Sequence, residues 1–273
     1  VEEPFSSGVP ARTPERATLD KRRYIEASAV AAEWEAIWTR CWLFAGLESD
    51  LPDVGDYFVY NVGVESIVIL RDEESRIRAF YNVCQHRGNR IFTNERGAVQ
   101  QVACPYHGWR YALDGQLVIV PDEERFCPAV DKEERSLKRV SLATWAGTVW
   151  INMDPRAIPL EEYLGPIIDN LAPYHFENML LAKHQTVALD ANWKTVRDNF
   201  LEQYHVDFIH PQHASLVDCC NSENTLWPYG HSATMVEGYV TNSRYRVPEK
   251  TPDHLVVLLD GIGLAPEDFQ GRV

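Results

Sequence analysis

Cys84-Gln85-His86 and, 17 residues further on, Cys104-Pro105-Tyr106-His107 decide how this chain is read. Each short segment offers one thiolate and one imidazole. Thiolate suits iron–sulfur chemistry, and neutral imidazole is a good ligand for iron. Two Cys and two His can together hold a two-iron, two-sulfur cluster, with the thiolates on one iron and the imidazoles on the other. The same four donors could make a tetrahedral zinc site. Zinc spacing usually pairs Cys with Cys and His with His. Here each segment carries one of each, which favours the cluster.

With their flanks, Cys84-Gln85-His86-Arg87-Gly88 and Cys104-Pro105-Tyr106-His107-Gly108-Trp109 resemble the Rieske domain of ring-hydroxylating oxygenase α-subunits. The similarity runs from about Tyr24 to about His213. It implies an α+β chain, with an antiparallel β Rieske domain followed by a partial helix-and-sheet catalytic domain. Residues 1–41 are expected to form an N-terminal arm and a helix packing with the catalytic domain. Residues 42–155 would be the Rieske domain, and 156–273 the first part of the mononuclear-iron domain.

Composition is that of an ordinary globular protein and argues against other classes. Hydrophobic residues make up 45% of the 273 and charged residues 24%, an ordinary globular balance. The net charge of −14 argues against a nucleic-acid partner, whose phosphates call for a basic surface. No apolar run approaches the roughly 20 residues that span a bilayer, and no signal segment opens the chain. The expectation is a cytoplasmic protein. Of the six Cys, Cys41, Cys127 and the vicinal pair Cys219-Cys220 fall outside the cluster. Their spacing is no disulfide framework, so reduced thiols are expected.

Along the chain, Pro4, Pro10 and Pro14 break up an extended or disordered arm. Ser28 is placed to cap a helix whose apolar face carries Val30, Ala31, Trp34, Ile37, Trp38 and Cys41. Strands are expected at Tyr57 to Tyr60, Ser66 to Leu70, Ile77 to Tyr81, Val99 to Ala103, Trp109 to Leu113, Gln116 to Val120 and Thr148 to Asn152. Asn94 to Gly97 reads as a turn, and Asp114-Gly115 as a hairpin turn. Gly165-Pro166 should split the apolar stretch from Leu160 to Leu171 into a turn and then a helix. Leu181 to Leu189 alternates like a strand. Arg87, Arg90, Arg96 and Arg110 make the neighbourhood of the ligand segments basic within an acidic chain. They form either a docking patch for an acidic electron donor or ordinary solvated or salt-bridged arginines.

A second constellation follows Asn192-Trp193-Lys194, where a helix should begin. Glu202 and His205 are three residues apart and would share a helix face. His205 and His210 are five apart. At about 100° per residue they would diverge by roughly 140° on a regular helix. They converge only if the helix ends between them, and Pro211 favours that. Two imidazoles and a carboxylate form the facial triad that holds iron(II) with open positions.

The run Asn192-Trp193-Lys194, Asn199-Phe200, Glu202, Tyr204-His205 and His210 is similar to the catalytic-domain signature of the same oxygenases. The resemblance implies that His205 and His210 bind mononuclear iron. Glu202 would bridge that site to a Rieske histidine of a neighbouring subunit. Asn199 would lie near the iron, and Phe200 and Val206 would line the substrate pocket. His213 competes as a ligand. The family's third ligand is a distant downstream Asp or Glu, and this chain stops at Val273, 63 residues past His210. Asp218, Glu223, Glu237, Asp253, Asp260, Glu267 and Asp268 stand in no matching context, so none is assigned and a partial α-subunit is expected.

The implied activity is that of a terminal oxygenase. It would take electrons from a ferredoxin or an NAD(P)H-dependent flavin reductase. A 2Fe-2S cluster and a mononuclear Fe(II) would serve the hydroxylation of an aromatic or other apolar substrate with dioxygen. A homotrimer is implied, with or without a β subunit. The alternative is a Rieske-type electron carrier, which has no need of Glu202, His205 and His210.

Overall fold

The computed structural model describes residues 19–210 and 217–238. The arm with Pro4, Pro10 and Pro14, the competing His213, and Asp253, Asp260, Glu267 and Asp268 lie outside the described residues, as do the side chains of Asp218, Cys219, Cys220 and Glu237. The chain falls into two compact units, one being Asp20–Thr186 and the other built from the described residues after Thr186.

The first unit begins with two short helices, α1 (Arg22–Ile25) and α2 (Ala27–Glu33), and a π-helical turn over Trp34–Trp38. Ser28 is no cap. Glu26 holds the N-cap position, and Ser28 lies inside α2 with its hydroxyl 3.3 Å from the Glu26 carboxylate. None of these helical residues is buried. The Trp34 ring lies against Gly63, leaving no room there for a Cβ.

Ten strands follow: β1 (Leu43–Leu47), β2 (Asp56–Val62), β3 (Glu65–Arg71), β4 (Ile77–Tyr81), β5 (Arg96–Ala98), β6 (Val102–Ala103), β7 (Arg110–Tyr111), β8 (Leu117–Ile119), β9 (Ser141–Trp145) and β10 (Thr148–Asn152). They make three antiparallel sheets, ordered β1-β10-β9, β4-β3-β2-β5 and β6-β7-β8. The middle sheet is covered on both faces. Tyr57, Val68, Leu70 and Phe80 pack toward Val102, Tyr111 and Leu117. Phe58, Ile67, Ile69 and Ala79 pack toward Val149 and Ile151. Burial on both sides explains why Ser66 to Leu70 is an unbroken buried run in place of an alternating one.

Ile77–Tyr81 and Thr148–Asn152 form as the residue types direct. Asn94 to Gly97 does not remain a turn, because Arg96–Ala98 joins the edge of β2 as β5. Only the last two residues of Val99 to Ala103 enter a ladder. After β10 come α3 (Leu160–Leu164) and α4 (Ile167–Leu171), divided at Gly165 and Pro166. The first piece is itself a short helix and not merely a turn. Its Leu160 and Leu164 join Trp42 in a small core. The segment Leu181 to Leu189 forms no ladder among the described residues, and Leu181, Val187 and Leu189 stay exposed. Alternation alone makes no strand without a partner edge.

The second unit contains α5 (Trp193–Phe200), α6 (Val206–Ile209), and a hairpin of β11 (Val217–Leu226) and β12 (Ser232–Gly238). Asn192 caps α5, its side-chain oxygen accepting from the Lys194 N–H at 3.0 Å. Arg197 donates to the Gly230 carbonyl at 3.0 Å and so ties α5 to the hairpin turn. Among the described residues no helix is long and apolar enough to cross a membrane.

Candidate cluster and iron sites

The first ligand loop leaves β4, and the second bridges β6 and β7. Both share one backbone design. The Cys84 N–H donates to the Asn89 carbonyl, and the Cys104 N–H to the Trp109 carbonyl, each at 2.8 Å. The thiols lie inside, at 2% and 3% exposure for Cys84 and Cys104. His86 is half-buried and His107 is exposed. The two imidazole rings stand 4.6 Å apart, edge to face.

The surroundings order these donors. Trp109 stacks on His86 at 4.8 Å, nearly parallel. Phe126 meets both rings edge-on. Tyr106 tilts over His107 at 3.9 Å. The fully buried Tyr111 has its hydroxyl 3.2 Å from the Cys84 sulfur, and it accepts from the Gln85 N–H at 3.1 Å. Burial pushes the Cys84 thiol up, the Tyr111 and His86 hydrogen bonds oppose this, and neighbouring Cys104 adds to it. Burial holds His86 below its ordinary value, helped by His107, Arg87 and Arg135.

A 2Fe-2S cluster fits these residues. Among the described residues, His86 Nδ1 is the buried side-chain nitrogen or oxygen left without a hydrogen-bond partner. A buried ring nitrogen with no hydrogen-bond partner is the atom that a metal ion would satisfy. Tetrahedral zinc would need all four donors about 2.0–2.3 Å from one point. Two thiols inside and two imidazoles outside suit two metal ions bridged by sulfide.

The second constellation is a turn and not a helix face. α5 ends at Phe200, so Glu202 and His205 meet across the connection to α6. Glu202 accepts from the His205 N–H at 3.2 Å, and its other oxygen lies 2.5 Å from His205 Nδ1. This hydrogen bond keeps the Glu202 carboxyl below the usual carboxylate range. His205 and His210 bracket the single turn of α6 as its N-cap and C-cap. Their rings come to 5.4 Å, at 72° to each other. The expected divergence is avoided because His210 leaves helical geometry, with φ −124° and ψ 60°. With Nδ1 of His205 taken by Glu202, Nε2 is the nitrogen left for a metal, the usual arrangement of a carboxylate behind a ligating imidazole.

Val206 is buried, at 6% exposure. Asn199 and Phe200 are exposed. A cavity of about 540 Å³ in the first unit is lined by residues that include Leu47, Gly147, Phe176, Met179 and Leu181. None of the site residues expected from the sequence lines it.

Residues 41–144 match the Rieske [2Fe-2S] domain, and residues 176–255 match the catalytic domain of the ring-hydroxylating alpha subunit. The chain belongs to the Rieske oxygenase α-subunit family. Within that family, the carnitine monooxygenase oxygenase subunit of Acinetobacter pittii is 36% identical over 242 residues, covering 85% of this chain and 64% of that protein. The biphenyl dioxygenase subunit alpha of Metapseudomonas furukawaii is 34% identical over 203 residues, covering 70% and 44%. A crystal structure of a quaternary ammonium Rieske monooxygenase in complex with L-carnitine superposes with a TM-score of 0.72 at 32% identity, covering 80% of this chain and 62% of that one. The chain spans about half the length of other curated relatives it matches, at 43%, 51% and 54%.

In a Rieske oxygenase α-subunit the first domain carries a 2Fe-2S cluster and the second a mononuclear non-heme iron. Tyr111, Phe126 and Arg135 join the surroundings of the ligand loops without having been singled out from the sequence, and Trp109 was quoted there only as the end of a motif. Trp109, Tyr111 and Leu113 are all buried, and their spacing of two was the visible signal that one strand face turns inward. Phe126 and Arg135 come from later loops, and only the fold brings them there. Of the four arginines near the ligand loops, Arg96 is bound to Asp50 at 2.7 Å, and Arg90 lies 3.3 Å from Asn61.

Proposed function

We propose that the protein acts as the terminal oxygenase component of an electron-transfer chain, hydroxylating a small organic substrate with dioxygen. The observation that carries this reading is the Glu202–His205 contact beside His210, in a chain that also holds the two cluster loops. A pure electron carrier needs the loops alone. When bound, the cluster and the iron supply one-electron transfer and the activation of dioxygen.

The chain's own groups hold and orient. Cys84 and Cys104 would anchor one iron of the cluster by thiolate, and His86 and His107 the other by imidazole. Trp109 and Phe126 keep the His86 ring in place, while the exposed His107 is open to exchange with a partner. His205 and His210 would hold the mononuclear iron. Glu202 fixes the ring and tautomer of His205 and offers a carboxylate through which the two centres of neighbouring subunits couple.

For the substrate, we favour a quaternary ammonium compound of the carnitine kind over an aromatic hydrocarbon. Support comes from the carnitine monooxygenase relative and from the L-carnitine-bound structure, together with Glu at position 202, where many dioxygenases carry Asp. An acidic ferredoxin or flavin reductase would dock on Arg87 and Arg110, with Arg135 joining them. A cytoplasmic homotrimer completes the reading.

Metal and acid-labile sulfide per chain, measured after purification without oxygen, test it. Two irons and two sulfides support the cluster, and a further iron lost in His205→Ala supports the second site. Zinc without sulfide would overturn both.

A further inference from the structure

The two ligand loops differ at one rung. In the second loop Ala103 pairs with Arg110, and Val102 with Tyr111. In the first loop Val83 pairs with Arg90 in the same register about its cysteine. The next rung would set Asn82 opposite Ile91, and among the described residues no backbone pairing occurs there. The Asn82 side chain fills that place. Its Oδ1 accepts from the N–H groups of Ile91 at 3.1 Å and Phe92 at 2.8 Å. Its Nδ2 donates to the Phe92 carbonyl at 2.8 Å and to the Ser66 hydroxyl at 3.2 Å. Its own N–H donates to the Ser66 carbonyl at 2.8 Å. Asn82 is 0% exposed, and Ile91 and Phe92 are buried around it. Every polar group of the amide is therefore used, in a place where an unmade hydrogen bond is expensive.

We propose that Asn82 is the positioning residue of the first cluster loop. One side-chain amide closes residues 82–92 around Cys84 and His86, as the β6–β7 ladder closes the other loop around Cys104 and His107. Cys84 and His86 serve different irons, so loosening this closure displaces one donor on each. The backbone N–H of Asn82 is also tied to the Ser66 carbonyl of the hydrogen-bonded middle sheet at 2.8 Å, which gives the loop a rigid base that does not need the Ser66 hydroxyl. The inference rests on the cluster reading of the two loops and does not depend on the mononuclear site or the substrate.

The full chain, loaded with its cluster, is compared as wild type, Asn82→Ala and Ser66→Ala. Asn82→Ala leaves Ile91 N–H and both Phe92 groups unpaired. It should broaden the electron paramagnetic resonance of the reduced cluster and speed loss of its visible absorbance about tenfold, with far-ultraviolet dichroism retained. Ser66→Ala removes only the contact away from the loop and should keep the wild-type resonance and lifetime. An unchanged resonance and lifetime in Asn82→Ala, or equal changes in both variants, overturns the proposal. If Asn82→Ala does not fold, hydrogen exchange on the wild type decides. Ile91 and Phe92 amides exchanging as slowly as those of β3 support the closure, and exchange at open-loop rates overturns it. Zinc in place of iron and sulfide would sink the cluster reading, while the exchange rates would still report on the closure.

Discussion

Gly88 and Gly108 hold the same position in two loops whose histidines are offset by one residue. Each has a positive φ, +73° and +70°, and each donates its N–H to the carbonyl of its own loop's cysteine at 3.0 Å. The turn that aims each cysteine inward therefore depends on a residue free to adopt left-handed geometry. Space is not the constraint at Gly88, because a Cβ there would meet nothing within 4 Å. Gly88→Ala should cost about 1–2 kcal/mol of stability from backbone strain alone, with the cluster still bound. Gly55→Ala should be far worse, since its Cβ would run into the Val99 carbonyl oxygen. Denaturation midpoints of the two variants check the ranking, and equal losses would contradict it.

Tyr111→Phe removes the hydroxyl that lies against the Cys84 sulfur. A hydrogen bond to a cluster sulfur favours the more negative, reduced state. Its loss should lower the midpoint potential while the ring keeps its place in the core. A redox titration that finds the wild-type potential would show that the hydroxyl serves only the Gln85 N–H.

Much of this was legible in the residues, and the gaps have physical causes. The ligand loops were readable because four donors at fixed spacing constrain a fold locally. The β3 run was readable as a strand for its β-branched content. β5 was not, because Gly97 looks like a turn residue. In the fold it is a strand glycine that makes room for Tyr57, whose hydroxyl would lie 2.9 Å from a Cβ there. The strand pattern of Leu181 to Leu189 failed for the opposite reason, since a ladder is a non-local property that no single segment holds. At the second site the structure brings Glu202, His205 and His210 together, but in a turn and not on the expected helix face. Spacing of three suits a helix face, but it equally suits a turn in which a carboxylate accepts from the backbone N–H three residues further on.

His205→Ala should abolish iron binding at the second site and leave the cluster's visible spectrum intact. Glu202→Gln keeps a hydrogen-bond partner for Nδ1 but loses the charge, and iron affinity should fall about 10–100-fold. Iron titration followed beside the cluster absorbance separates the two centres. Loss of the cluster spectrum in His205→Ala would give that residue a structural role instead.

Reversing charge at Arg87 and Arg110 should weaken the salt dependence of cluster reduction by an acidic donor, because both are exposed and among the described residues neither makes an ion pair that would already absorb its charge. Arg96→Glu serves as the contrast. Arg96 is committed to Asp50, so its reversal should lower stability more than it alters docking. Stopped-flow reduction rates at several ionic strengths decide, and a salt slope unchanged in the Arg87 and Arg110 variant would exclude this patch.

Asp72 contributes to the acid sensitivity of the Rieske domain. Its side chain is 1% exposed and sits in the turn between β3 and β4. Burial alone would raise its carboxyl, but Arg78, Arg76 and the N–H groups of Arg76 and Glu74 outweigh this and hold it below the usual range. The unfolded chain returns the group to about 3.9. A carboxyl whose folded value is the lower one contributes stability that is fully present above the unfolded value and is lost as pH falls through the folded one. Asp72→Asn removes that contribution. The variant should therefore unfold more easily than wild type at neutral pH, and the gap should close as both are acidified below about 3.9. Thermal midpoints followed from pH 7 downward test the sign. A gap that stays constant would mean that the turn is held by its backbone and that the carboxylate charge adds nothing.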